Sequence, residues 1–225
     1  MRRMGVVAVA LTAVIAVGCN KSDNRAANGS AVGTAGRAEN GVSAGDKDFV
    51  RDVATMNMAE IELSRTALQK GAGPDVKQFA QMMVDDHSKG LERLTAVATR
   101  HSITMPTQLD DEHRDKAAEL GKKQGIEFDR AYADMMVDGH EAVVDKLGSR
   151  VDKDTLADWK AKSIDANGRP TETKGEAMTI VPEKSDNPVT FSLNEWAATT
   201  YPTSFAHLQA AKDLQKGLQR RTTTP

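Results

Sequence analysis

The chain of 225 residues has a single cysteine, Cys19, so no disulfide can form within it. Aromatic residues make up only 4%, which starves a sheet of its usual aromatic filling. Neither sign of charge dominates, with 30 Lys and Arg against 32 Asp and Glu. Basic runs are no longer than pairs, as at Arg2-Arg3 and Arg220-Arg221, so the electrostatic footprint of a nucleic-acid binder is missing and nucleic acid is set aside as a partner. The N-terminal apolar run, Gly5 to Val17, falls short of the roughly 20 residues that a bilayer-spanning helix takes. No nucleophile with its base, Gly-rich phosphate loop or paired-carboxylate motif is readable, so an enzyme assignment has no positive support.

What is abundant is Ala, Leu, Met, Lys, Glu and Gln, a composition that favours helix. With 39% hydrophobic and 28% charged residues, the chain fits one globular, all-α domain with additions. The first addition is a targeting segment at residues 1–19. Arg2 and Arg3 supply a positive start, Gly5 to Val17 an apolar stretch, and Ala16-Val17-Gly18-Cys19 a small-residue close. Cys19 stands where a lipobox places it, so residues 1–19 resemble a bacterial lipoprotein signal whose mature chain begins at a diacylated Cys19. The expected location is the bacterial envelope, facing the periplasm. Asn20 in place of Asp after the cysteine is similar to signals for the outer membrane.

Residues 20–45 form a Gly/Ala/Asn/Ser stretch without apolar periodicity, and read as a flexible tether. A random chain of that length spans roughly 28 Å. From 46 to 220 the pattern becomes helical. Asp46 or Asp48 is placed to cap a first helix, whose seam of Phe49, Val53, Met56, Glu60, Leu63 and Ala67 alternates steps of 4 and 3 before GAGP at 71–74. Pro74 and Asp75 open a second helix with Val76, Ala80, Met83, His87, Leu91, Leu94 and Ala98 on one face. After Pro106, a polar connector carries a short helix from Asp110 to Lys123. A third long helix, 125–149, aligns Phe128, Met136, His140, Val144 and Leu147.

A fourth helix is capped by Asp152 or Asp154 and broken by the Gly/Pro-containing stretch 165–175. EAMTIV and PVTFSL permit a small hairpin. Ser192-Leu193-Asn194-Glu195 reads as a capping box from which the helix resumes, with Ser204, His207, Ala211, Leu214 and Leu218 in its stripe and Pro202 bending it. The insertion at 165–191 therefore splits the fourth helix, and is also a place where a protein partner could dock.

One polar residue interrupts the apolar seam of each long helix: Glu60, His87, His140 and His207. Each lies about 14 residues into its helix, roughly 20 Å from an end. His101 and His113 fall near helix ends and are expected to be solvated. The hexapeptide MMVDDH at 82–87 returns as MMVDGH at 135–140. If residues 103–124 carry the chain back along a bundle, these two helices run parallel and present the repeated face to a shared centre. Chance is the alternative, since Met-Met-Val is common core filling.

The chain resembles the ferritin-like exported bacterial family known as domain of unknown function 4142. The resemblance rests on Asp48-Phe49-Val50, Glu60-Ile61-Glu62-Leu63, VKQFAQMMVDDH from 76 to 87, Phe128-Asp129-Arg130-Ala131-Tyr132, His140, Tyr201-Pro202 and His207-Leu208. It implies a ferritin-like four-helix bundle with a crossover segment and an envelope location, and no activity.

Three imidazoles and a carboxylate make a reasonable donor set for zinc, copper, iron or manganese. A di-iron centre of the ferritin type is disfavoured, because Val84, Val137 and Ser204 occupy the positions three before the histidines where that motif needs Glu. Met83 and Met136 lie on the histidine faces as soft donors or as core. Asp86, a neighbour of His87 on the helix, points about 100° away and is not expected at the same ion. Asp129 and Tyr132 either orient His140 and Met136 or serve as cap and wedge. The competing expectation is a non-catalytic structural or partner-binding module, in which Glu60 and the histidines are a hydrogen-bonded polar core.

Overall fold

The computed structural model describes residues 41–165 and 179–221; the signal and lipidation site at 1–19, most of the tether and part of the insertion lie outside them. Among the described residues the chain forms six helices: α1 (Ala44–Lys70), α2 (Pro74–Arg100), α3 (Asp111–Lys122), α4 (Gly125–Gly148), α5 (Lys153–Ser163) and α6 (Pro188–Arg220).

The helix ends obey local chemistry. Ser43 caps α1, its Oγ accepting from the Asp46 amide, so the cap lies just upstream of the two aspartates expected there. Asp46 is instead drawn into the interior, where it bonds Ser43, Arg150 and Thr190. Pro74 occupies the first turn of α2 as expected, and Asp110 and Asp152 cap α3 and α5. Gly71 ends α1 at a place where a Cβ would stand 2.6 Å from the Ala67 carbonyl, so no larger residue fits without movement. The turn after it is held from across the bundle, because Asp129 of α4 accepts from the amides of Ala72 and Gly73.

α1, α2, α4 and α6 make the bundle. Their contacts fix the directions. Ser64 meets Tyr132 and Asp52 meets Lys146, so α1 and α4 run antiparallel. Asp75 pairs with Arg221 while Asp86 meets His207, which makes α2 and α6 antiparallel. Arg130 reaches the Leu218 carbonyl and Lys212 pairs with Glu141, so α4 and α6 are antiparallel too. α2 and α4 are consequently parallel and diagonally opposed, with α3 in the crossover, as the repeated hexapeptide requires. The buried stripe of Val50, Val53, Ala80, Met83, Met136, Leu193, Ala197 and Leu218 fills the interior.

The fourth position departs from expectation in its detail. α6 is continuous through Pro202 and starts at Pro188, where Asn187 accepts from the amides of Val189 and Thr190. Ser192-Leu193-Asn194-Glu195 is therefore helix interior and forms no capping box, and PVTFSL is the first turn and a half of α6 with no hairpin strand. A Pro at N1 behind an Asn cap, with Val189 and Leu193 buried, outweighs the β-branched preference of that stretch. The hairpin's other half lies partly outside the described residues; beyond it, Pro182 makes one isolated antiparallel bridge with Val151. α5 is an accessory to the bundle, with Trp159 packed edge-on to Tyr201 and Phe205 at ring separations of 5.8 and 5.6 Å.

Candidate metal centre

The four seam residues converge. His87, His140 and His207 are buried, and one ring nitrogen from each lies within 4.8 Å of the others. Their ring centroids form a nearly equilateral triangle of 5.3, 5.3 and 5.5 Å. No other group of three or more His, Cys, Asp or Glu side chains with this property occurs among the described residues. α2, α4 and α6 each deliver one imidazole to the cluster; because α6 starts at Pro188, His207 lies deeper in its helix than the roughly 14 residues expected from a start near Ser192.

Glu60, from α1, is buried as well but stands to one side of the triangle. Its Oε2 is 3.0 Å from Nδ1 of His87, and its Oε1 is 3.4 Å from Nδ1 of His140. Neither approach has hydrogen-bond alignment, and both carboxylate oxygens lack a partner. The carboxylate thus meets the two rings at their Nδ1 atoms and is not one of the three mutually close donors.

The protons on two of the rings are settled by their neighbours. Nδ1 of His140 lies 2.8 Å from the Met136 carbonyl, which only accepts, so that nitrogen carries the hydrogen. Nδ1 of His87 lies 3.0 Å from Oδ1 of Asn57, whose amide is oriented by its own donation to the Val53 carbonyl. His87 Nδ1 therefore donates. In the neutral state both rings keep a lone pair on Nε2, and both Nε2 atoms are buried with no partner. An unpaired buried acceptor costs about 1–3 kcal/mol, so two of them within one cluster of imidazoles favour the arrival of a Lewis acid.

His207 is held by a residue that its helix position alone excludes from the ion. Oδ2 of Asp86 lies 3.2 Å from its Nε2. Asp86 does point away from its neighbour His87, but the adjacent α6 brings His207 to it. With Nε2 engaged, Nδ1 is the lone-pair atom of His207. Asn57 is a second functional residue that the seam pattern misses; the signal for it is a polar residue three positions before Glu60, on the same face of α1.

Electrostatics favour neutral rings at His87 and His207. Burial, with the neighbouring His140 and His207, pushes His87 well below the usual imidazole range, and burial brings His207 down to about 4 despite the favourable Asp86. Burial likewise raises the carboxyl of Glu60.

The remaining candidates resolve into packing. Asp129 caps the α1–α2 turn, and Tyr132 bonds Ser64 at 2.8 Å. Met83 and Met136 are fully buried, the latter contributing its backbone carbonyl. His101 closes α2 with a buried, unpartnered Nε2 where a solvated ring is expected from its position, and His113 bonds Asp110 at the start of α3.

Fold and site together define a helical bundle with a polar, three-histidine centre. The chain belongs to the family described as domain of unknown function (DUF4142), whose model matches residues 31–163. The matched span ends with α5, so α6 and His207 lie beyond it. No curated protein matches the sequence. Among solved structures, a DUF305 fragment from Deinococcus radiodurans superposes with a TM-score of 0.50 at 13% identity, covering 80% of this chain and 99% of that one. A structure described as CopM in the Cu(I)-bound form gives 0.47 at 14% identity, covering 76% and 96%. The first likeness is one of fold.

Proposed function

We propose that this protein binds one transition-metal ion between His87, His140 and His207. The observation that carries the reading is the pair of buried Nε2 atoms on His87 and His140, left without a partner by rings whose Nδ1 hydrogens are already committed. Metal–imidazole bonds of about 2.0–2.1 Å put donor nitrogens roughly 3.4 Å apart, so the rings close by about an ångström on loading. Neutral imidazoles in a thiolate-free set suit zinc or copper better than magnesium, calcium or manganese. Asn57, the Met136 carbonyl and Asp86 act behind the donors, orienting each ring through its other nitrogen. Glu60 supplies a nearby carboxylate that balances the charge of a bound cation.

The site belongs, in this reading, to a lipid-anchored envelope protein. Support comes from the N-terminal sequence: Arg2-Arg3, the apolar stretch and Cys19 as lipid acceptor, with Asn20 favouring an outer-membrane destination and the bundle facing the periplasm.

The test is elemental analysis of untagged, full-length protein and its His87→Ala variant after exposure to zinc or copper and desalting. Near-stoichiometric metal, lost in the variant, is expected. A preparation that takes up none on titration ends the reading. One observation favours a second one, a polar core without metal: Glu60 touches two of the imidazoles unaided. That core predicts histidine variants that alter stability alone.

A further inference from the structure

We propose that the same centre takes an exogenous small anion or solvent oxygen beside the metal, in a cavity bordering the imidazoles; this rests on the metal reading above. The cavity has a volume of about 20 Å³, enough for one water-sized molecule, and His87 and His207 both line it. Residues of all four bundle helices line it, from buried His87 to exposed Arg93 and Thr203, so it opens from the imidazoles toward the surface between α2 and α6 and a small linear anion can extend outward.

Its wall carries donors that nothing uses. Trp196, only 6% exposed, and Thr200 line the cavity, and the indole Nε1–H and the hydroxyl Oγ1 are both buried without a hydrogen-bond partner. Arg93 adds a positive charge to the same wall. The acidic group there, Asp86, is taken up by His207 and by Lys89, whose Nζ lies 3.6 Å from it. An unsatisfied N–H cannot accept, so what completes this wall is an acceptor, and a negative charge strengthens both bonds. From the metal's side, three protein donors leave one place in the four-coordinate arrangement usual for such ions, and open positions of this kind hold water or a substrate. Gly90 keeps the space free: a Cβ there would touch Oδ1 of Asn57 at 3.5 Å, an ordinary contact, so alanine fits only by occupying cavity volume.

The experiment uses full-length protein loaded with Co(II), whose visible absorption reports its ligands, titrated with azide. Azide is expected to change the spectrum saturably. Trp196→Phe keeps the packing against Phe49 but removes the N–H, and is expected to weaken azide binding by about tenfold or more, with Co(II) affinity unchanged. Gly90→Ala, which leaves every polar group in place, is expected to weaken it similarly by filling space. A spectrum indifferent to azide, or an azide affinity equal in wild type and both variants, overturns the proposal while leaving the metal reading standing. Failure to take up Co(II), zinc or copper at all overturns both.

Discussion

The carboxylate of Glu60 rests against Gly139: a Cβ on that glycine would stand 2.7 Å from Oε1. Gly139 is where the second hexapeptide, MMVDGH, departs from the first, which has Asp86. The substitution that distinguishes the two copies thus has a use on each side of the centre. In α2 the aspartate reaches His207, and in α4 the missing side chain admits Glu60.

Alanine at 139 should therefore destabilise, although Gly→Ala inside a helix ordinarily gains up to about 1 kcal/mol. Thermal unfolding should show Gly139→Ala below wild type by several degrees, roughly the effect of 1–2 kcal/mol in a chain this size. In a Glu60→Ala background the same change should become neutral or stabilising. Additive effects in the double-mutant cycle would show that the two residues do not interact.

His140 is fully buried, so its replacement by Leu removes an unpartnered polar atom at similar volume. Without metal, His140→Leu should unfold a few degrees below wild type, because it removes the bond to the Met136 carbonyl and leaves Glu60 beside an apolar group. With zinc or copper at a hundredfold excess over its dissociation constant, wild type should gain about 2.7 kcal/mol and the variant none. Calorimetry in chelator and in metal checks both arms; an equal metal-induced rise in the two proteins would place binding elsewhere.

Asp86→Asn should lower metal affinity by roughly 10–100-fold by weakening the hold on Nε2 of His207. Because Asp86 is partly exposed, folding stability should change by no more than about 0.5 kcal/mol. Nitrogen NMR of the imidazoles gives the decisive readout. Wild type without metal should show His207 protonated at Nε2, with that tautomer eroded in the variant.

Asp46 contributes to the acid limb of stability. Burial works to raise its pKa, but hydrogen bonds from Ser43, Arg150 and Thr190, with the Arg150 charge, prevail and hold it below the usual carboxylate range. A group depressed in the folded state stabilises above its unfolded pKa, near 4, and loses that contribution as pH falls through the folded value. Asp46→Asn should cost about 1–2 kcal/mol at pH 7 and flatten the pH dependence of urea midpoints below pH 4. An unchanged acid slope would contradict this.

Much of the fold and the centre is legible in the chain alone. Steps of 3 and 4 between apolar residues locate the four long helices, and the same steps put Glu60, His87, His140 and His207 in their seams, because a helix repeats its face with a fixed period that sequence spacing reports directly. Equal depth and the doubled hexapeptide point to a shared level in a crossover bundle. Only the tertiary structure decided what happens across helices: that Glu60 meets Nδ1 atoms beside the imidazole triangle, that Asp86 serves α6, that Asp129 caps a distant turn, and that PVTFSL is helix. Those outcomes depend on which way a ring or carboxylate points and on what a neighbouring helix offers it. Both are set by packing between segments far apart in sequence, and no local periodicity encodes them.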